Sequence, residues 1–173
     1  CNDALYALAE QALAKYNPDG RITLKRQGER LTVEAQGISA HAATPWFGLS
    51  ANNLLLNYLR LLPLAPAAAE SYLYALADLF AEGNAGVNIG IACENEEFGA
   101  LTLSLGVLEV GENGGSAAFD MRYPNLDARA QIWQTVEQNC QARGLAVELL
   151  QDKPGLHVPQ DSFLVQSLLQ AYQ

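Results

Sequence analysis

The sequence contains two histidines, and one of them, His41, lies where a side chain could take part in chemistry. It follows a predicted strand, and side chains at the ends of rigid elements often project toward clefts. An imidazole in such a place can donate a hydrogen bond or transfer a proton near neutral pH. A single histidine is about as often structural as catalytic, so the residue alone leaves both interpretations open.

The elements around His41 are predicted from the spacing of apolar residues. Alternating apolar and polar positions predict strands, and apolar positions at helical spacing predict helices. Clusters of glycine, asparagine and proline separate these elements. In chain order we predict a helix over 2–16, strands over 22–24 and 31–35, helices over 51–62 and 67–80, strands over 101–108 and 115–123, a helix over 127–143, a strand over 145–150 and a helix over 162–171.

This order of elements predicts an α+β fold in which antiparallel sheets have helices packed on one face. Helix, strand, strand, helix is followed by strand, strand, helix, strand, and we interpret both as ferredoxin-like halves of a split β-α-β plan. We expect one domain over residues 1–160, with candidate subdomains 1–83 and 84–160. The helix in 161–173 has apolar positions that need a partner surface outside this domain.

Charge and composition exclude several classes of function. The 173 residues include 10 Lys and Arg against 19 Asp and Glu, a net charge of −9, and no basic stripe that could bind nucleic-acid phosphates. The longest apolar stretch, 54–69, is interrupted by polar residues and prolines and is shorter than the ~20 residues that span a bilayer. Three cysteines without a CxxC pair predict neither a structural zinc nor a disulfide framework. We therefore expect a cytoplasmic protein with no nucleic-acid or membrane partner.

Three motifs follow one another along the chain. They are Gly37…Ala40-His41…Pro45…Gly48…Ala51, then Gly114-Gly115…Phe119-Asp120-Met121-Arg122-Tyr123-Pro124, then Leu156-His157-Val158-Pro159-Gln160-Asp161-Ser162-Phe163-Leu164-Val165. In this order they resemble the lid, or dimerisation-type, domain of the aminoacylase and carboxypeptidase-G-like family of zinc exopeptidases. The order and the long insert look most like bacterial, carnosinase-like dipeptidases that carry a duplicated lid.

The resemblance implies a parent enzyme that hydrolyses dipeptides with a free C-terminal carboxylate. Two zinc ions in a separate catalytic domain of the same chain would activate the attacking water, and residues 161–173 would lead back to that domain. The histidine matched by His41 is then a transition-state stabiliser, because it donates a hydrogen bond to the developing oxyanion and binds no zinc. The family's zinc-binding motifs do not occur in this sequence. We therefore expect no metal ligand in this chain and no activity from it alone.

Arg122 matches the family arginine that binds the C-terminal carboxylate of the substrate. A guanidinium suits that task because its planar fork bonds a carboxylate through two parallel hydrogen bonds, which a lysine cannot do. Strand alternation also places Asp120 and Arg122 on one face of a strand. An ion pair between these two side chains is therefore the alternative interpretation. His157 is interpreted as a surface packing residue, because its place in the family is often aromatic.

Two departures from the family pattern leave substrate preference open. Ala42-Ala43 follow the histidine where relatives often have Gly or Ser, and Gly48-Leu49-Ser50-Ala51 stands where relatives usually have Gly-x-Asn-Ala. An N-acyl-amino-acid deacylase of the same family is one alternative function, and a stand-alone ligand-sensing or dimerisation module is another. The two similar halves favour a lid duplicated within one chain, and hence a monomeric parent.

Overall fold

The computed structural model describes residues 2–64, 67–96, 98–111, 114–124, 128–153, 158–159 and 161–172. The strands of this part pair as three antiparallel two-stranded sheets, Ile22–Gln27 with Arg30–Ala35, Glu94–Asn95 with Gly99–Ala100, and Thr102–Gly111 with Gly114–Arg122. The predicted α+β fold with antiparallel sheets is therefore confirmed. Its helices and strands are α1 (Asp3–Lys15), β1 (Ile22–Gln27), β2 (Arg30–Ala35), α2 (Ala51–Leu59), α3 (Ala67–Phe80), β3 (Glu94–Asn95), β4 (Gly99–Ala100), β5 (Thr102–Gly111), β6 (Gly114–Arg122), α4 (Arg129–Gln141) and α5 (Phe163–Ala171).

Polar side chains fix the starts of three helices. The Asn2 side chain accepts a hydrogen bond from the Leu5 backbone N–H at 2.8 Å at the start of α1. Ser50 and Ser162 do the same at the starts of α2 and α5. Each cap satisfies a backbone N–H that has no partner within its helix. Short polar residues thus set where these helices begin.

The two longer hairpins differ in how regular they are. In β1–β2 the pairing is continuous, from Ile22 with Ala35 to Gln27 with Arg30. In β5–β6 the register shifts between Leu105 and Val107, so that Gly106 is an unpaired bulge residue. The bulge interrupts the ladder near the middle of β5 and leaves backbone carbonyls there available to other partners.

Helix α2 joins two hydrophobic clusters. The smaller cluster contains α1, β1 and α2 residues, and the larger is built mainly from α3, α4 and the segment that joins α3 to β5. Leu56 belongs to the larger cluster and Tyr58 to the smaller one. The Tyr58 hydroxyl is buried and donates to the Ala9 carbonyl oxygen at 2.9 Å. Because α2 is shared, it connects the β1–β2 hairpin to the β5–β6 hairpin.

The predicted strand over 145–150 is not formed. The Leu145 backbone N–H instead donates to the Cys140 carbonyl at 2.9 Å, which closes the end of α4. Leu145 and Val147 pack on the larger cluster, whereas Leu150 is 80% exposed. The alternating pattern thus reflects packing on one side of an unpaired segment. The strand, strand and helix predicted before it are present.

The last described helix, α5, presents a mostly exposed surface. Its large apolar side chains include Phe163, which is 88% exposed, and Leu164, Leu168 and Leu169. The predicted division into residues 1–160, with subdomains 1–83 and 84–160, and a helix in 161–173 stays a prediction. None of the helices in the described ranges is long and apolar enough to cross a membrane.

Candidate functional site

His41 lies in a loop whose ends are joined by backbone hydrogen bonds. Ile38 and Leu49 form an isolated antiparallel bridge, in which the N–H of each residue donates to the carbonyl of the other at 2.8 Å. We call residues 38–49 the histidine loop. Within it, the Thr44 N–H donates to the His41 carbonyl at 2.8 Å, and a 3₁₀ turn follows over Pro45–Phe47. These bonds hold the backbone around the histidine in one conformation.

Two glycines allow the ends of the histidine loop to approach each other. A Cβ on Gly37 would overlap the Leu49 carbonyl oxygen, and a Cβ on Gly48 would lie 2.6 Å from both the Ala40 Cβ and the Ile38 carbonyl oxygen. Gly48 has a φ of −122°, which any residue can adopt. The glycine is therefore required for space at this position and not for its backbone conformation.

The side chain of His41 is exposed, and one of its ring nitrogens is already used. Its Nδ1 accepts a hydrogen bond from the Ala43 backbone N–H at 3.2 Å. A neutral imidazole that accepts at Nδ1 carries its proton on Nε2. The loop therefore selects the tautomer in which Nε2 is a hydrogen-bond donor. The predicted position at the end of a strand is corrected, because β2 ends at Ala35 and His41 lies in the loop beyond it.

Arg122 is the last residue of β6 and pairs with Thr102 of β5. Its Nε lies 3.3 Å from the Asp120 Oδ1, and both side chains are about half exposed. The ion pair considered from strand alternation is therefore present. An exposed pair of this kind contributes only about 0–1 kcal/mol. So weak a pair leaves the guanidinium able to bond a second carboxylate.

Helix α2 connects the histidine loop to the strand that pairs with Arg122. The helix begins directly after the loop, at the Ser50 cap. In its first turn the Asn52 side-chain amide donates to the carbonyls of Leu105 and Gly106, at 3.2 Å each. These carbonyls lie at the bulge in β5, about 10 Å along the strand from Thr102. His41 and Arg122 are thus held on separate elements that share one support.

The chain directly after Arg122 is fixed by a carboxylate that the sequence analysis missed. The Tyr123 hydroxyl donates to the Asp152 Oδ1 at 2.9 Å, and the Asp152 Oδ2 forms an ion pair with Arg129. The Asp152 side chain is only 15% exposed. No local pattern marks this residue, because its partners lie far from it in the sequence.

The described ranges offer no donor set for a metal ion, since no group of three or more His, Cys, Asp or Glu residues is clustered there. Cys93 and Cys140 are free thiols, and burial raises the pKa of Cys140, which favours the neutral form over a thiolate ligand. His157 lies outside the described residues. The residues that the structure describes do not fit a zinc site.

Two curated proteins are similar to this chain, and no protein-family model matches it. The chain is 27% identical over 165 residues to the Staphylococcus saprophyticus protein named "Putative dipeptidase SSP1012", a match that covers 95% of this chain and 34% of that protein. It is 30% identical over 145 residues to "Putative dipeptidase YtjP" of Bacillus subtilis strain 168, covering 83% of this chain and 30% of that protein. The chain is therefore related to dipeptidase-named proteins and spans about a third of their length.

Proposed function

We propose that this chain is the lid of a zinc-dependent dipeptidase, which closes over a dipeptide and provides hydrogen bonds to its scissile carbonyl and its C-terminal carboxylate. The observation that carries the proposal is the similarity to two dipeptidase-named proteins, which covers 95% and 83% of this chain but only 34% and 30% of theirs. A region of that size, without a described metal-binding cluster, suits a substrate-covering domain better than a metal-binding one.

His41 is the proposed donor to the oxyanion. Peptide hydrolysis passes through a tetrahedral intermediate whose oxygen gains negative charge, and a donor placed in advance stabilises that charge. The hydrogen bond from Ala43 to Nδ1 leaves the proton on Nε2, and the side chain is exposed, so that a substrate can approach it. The bridged loop restrains the imidazole before the substrate arrives, which lowers the ordering cost of the contact.

Arg122 is the proposed partner of the substrate's C-terminal carboxylate. Its position at the end of β6 and the anchoring of Tyr123 by Asp152 keep the backbone there in place. The ion pair with Asp120 is half exposed and therefore weak, so it does not prevent the guanidinium from bonding a substrate carboxylate. A substrate that bonds both His41 and Arg122 would need them to converge on it, and α2 provides the common support.

In this proposal residues of the parent outside this chain would hold two zinc ions, and those ions would supply the activated water. The parent is proposed to be a cytoplasmic monomer in which the duplicated lid takes the place of a second subunit. A deacylase of N-acyl amino acids is the alternative parent, and the sequence similarity to dipeptidase-named proteins is what favours dipeptides.

The test is to measure zinc content and hydrolysis with the full-length parent. Dipeptides and N-acetyl amino acids are offered in parallel, and the 173-residue chain is assayed beside the parent. We expect zinc and dipeptide hydrolysis from the parent alone. Hydrolysis of the acyl amino acids in place of dipeptides would assign a deacylase. A parent without zinc or hydrolytic activity would refute the metallopeptidase proposal and favour a sensing module.

A further inference from the structure

The histidine loop presents two adjacent aromatic side chains to solvent. Trp46 is 63% exposed and Phe47 is 74% exposed. Their ring centroids are 5.9 Å apart, with the ring planes at 54°, so the two rings form one tilted pair. Large exposed aromatic groups in contact with each other form an apolar patch, and such patches often mark binding sites.

The backbone on both sides of the pair is fixed. Pro45, directly before Trp46, is buried, and Gly48, directly after Phe47, packs against the Ile38 carbonyl at the base of the loop. The Phe47 N–H donates to the Thr44 carbonyl at 3.2 Å. The aromatic pair therefore projects from a restrained turn, which reduces the entropy lost when a ligand covers it.

The pair is close enough to His41 to contact the same small substrate. The hydrogen bond from Thr44 to the His41 carbonyl closes a turn, which places these two Cα atoms within about 7 Å of each other. Trp46 lies two residues beyond Thr44, and two residues span at most about 7 Å. The Trp46 backbone is thus within roughly 14 Å of His41, a gap that a dipeptide of about 7 Å can bridge together with the His41 and Trp46 side chains.

The chemistry of the loop favours an apolar ligand group. Its residues from Ile38 to Leu49 include no Asp, Glu, Lys or Arg. The loop itself therefore offers no Asp, Glu, Lys or Arg to bind a charged side chain, whereas its rings offer apolar area and π faces. The rings lie on the same short, bridged loop as His41, the residue proposed to contact the scissile carbonyl, which favours the substrate as their occupant over a remote part of the parent.

We infer that Trp46 and Phe47 form a specificity surface that contacts an apolar side chain of the dipeptide. This inference rests on the proposed function and adds a substrate class to it: the parent prefers dipeptides with a large apolar side chain over glycine dipeptides. The contact is made through the lid, so the preference depends on lid residues and not only on the domain that binds zinc.

The test compares kcat/KM of the full-length parent for Leu-Gly, Gly-Leu and Gly-Gly. The variants are Trp46→Ala and Phe47→Ala, with Trp46→Phe as the conservative replacement. Leu150→Ala is the matched control, because Leu150 is an apolar residue at 80% exposure on a different segment. Zinc content and thermal midpoint are measured for every variant, and we expect both to match the parent, since the replaced rings are mostly exposed.

We expect Trp46→Ala to lower kcat/KM for at least one of the leucine dipeptides by about 10- to 100-fold, which is the range for losing a large part of an apolar contact. The kcat/KM of Trp46→Ala for Gly-Gly should stay close to that of the parent, as should the kcat/KM of Leu150→Ala for all three substrates. Trp46→Phe should lose less kcat/KM for the leucine dipeptides than Trp46→Ala does. An equal loss for all three substrates would overturn the inference and assign the rings to closure against the rest of the parent. A parent inactive on every dipeptide would refute the proposed function itself.

Discussion

Replacing Gly48 by alanine tests whether close backbone approach builds the histidine loop. The new Cβ would lie 2.6 Å from the Ala40 Cβ and 2.6 Å from the Ile38 carbonyl oxygen, distances at which the backbone must move. Overpacking of this kind costs about 1–3 kcal/mol. Because the φ of −122° suits alanine, the unfolded chain loses entropy in the variant, which returns about 0.4–1 kcal/mol. The net expectation is a loss of about 1–2 kcal/mol.

The assay for Gly48→Ala is denaturant unfolding of the 173-residue chain, followed by circular dichroism. Gly111→Ala is the matched control, since a Cβ there meets only the Gly114 carbonyl oxygen at an ordinary 3.9 Å. A thermal scan should show a midpoint lower by about 2–8 °C for Gly48→Ala, at ~2–4 °C per kcal/mol for a chain of this size. If Gly48→Ala were as stable as the unsubstituted 173-residue chain, the histidine loop would not depend on the close approach of Gly48 to Ala40 and Ile38.

Three further variants test side-chain contacts. Tyr58→Phe should lower the free energy of unfolding by about 1 kcal/mol at pH 7, because it removes a buried hydrogen bond. Burial raises the pKa of Tyr58 above 10.0, so its stabilising effect is complete below pH 10 and declines as pH rises through the folded value. The difference in unfolding free energy between the unsubstituted chain and Tyr58→Phe should therefore narrow above pH 10. A difference that stays constant with pH would contradict this role of the Tyr58 hydroxyl. Asp152→Ala should cost about 1–3 kcal/mol, since it leaves two partners of a mostly buried carboxylate unpaired. Asp120→Asn should change stability by under about 1 kcal/mol, because its pair with Arg122 is half exposed; similar losses for Asp152→Ala and Asp120→Asn would contradict the contrast.

Elements set by local chemistry were predictable from the sequence. The helix predicted over 67–80 is α3 as observed, and Ser50 caps α2 as its residue type allows. The close packing of Gly37 and Gly48 explains in physical terms why glycines occur at those two places in the motif around His41. The strands of both longer hairpins follow from alternation, with ends that differ by a few residues.

Features that depend on contacts distant in sequence were not predictable. The segment 145–150 alternates like a strand, but whether it pairs depends on whether a neighbouring strand has a free edge beside it. The link from Asn52 to the bulge in β5 requires knowing that the register shifts at Gly106. Asp152 gives no local signal, because Tyr123 and Arg129 become its partners only when the chain folds. The roles of His41 and Arg122 stay predictions.

The most direct test of the lid proposal is the turnover of dipeptides by the full-length parent carrying His41→Ala. Loss of one donor to an oxyanion lowers kcat by about 10²–10³-fold, and KM should change little because the contact strengthens in the transition state. Zinc content should equal that of the unchanged parent, since the proposal makes His41 a hydrogen-bond donor and not a zinc ligand. An unchanged kcat, or a loss of bound zinc, would contradict the account.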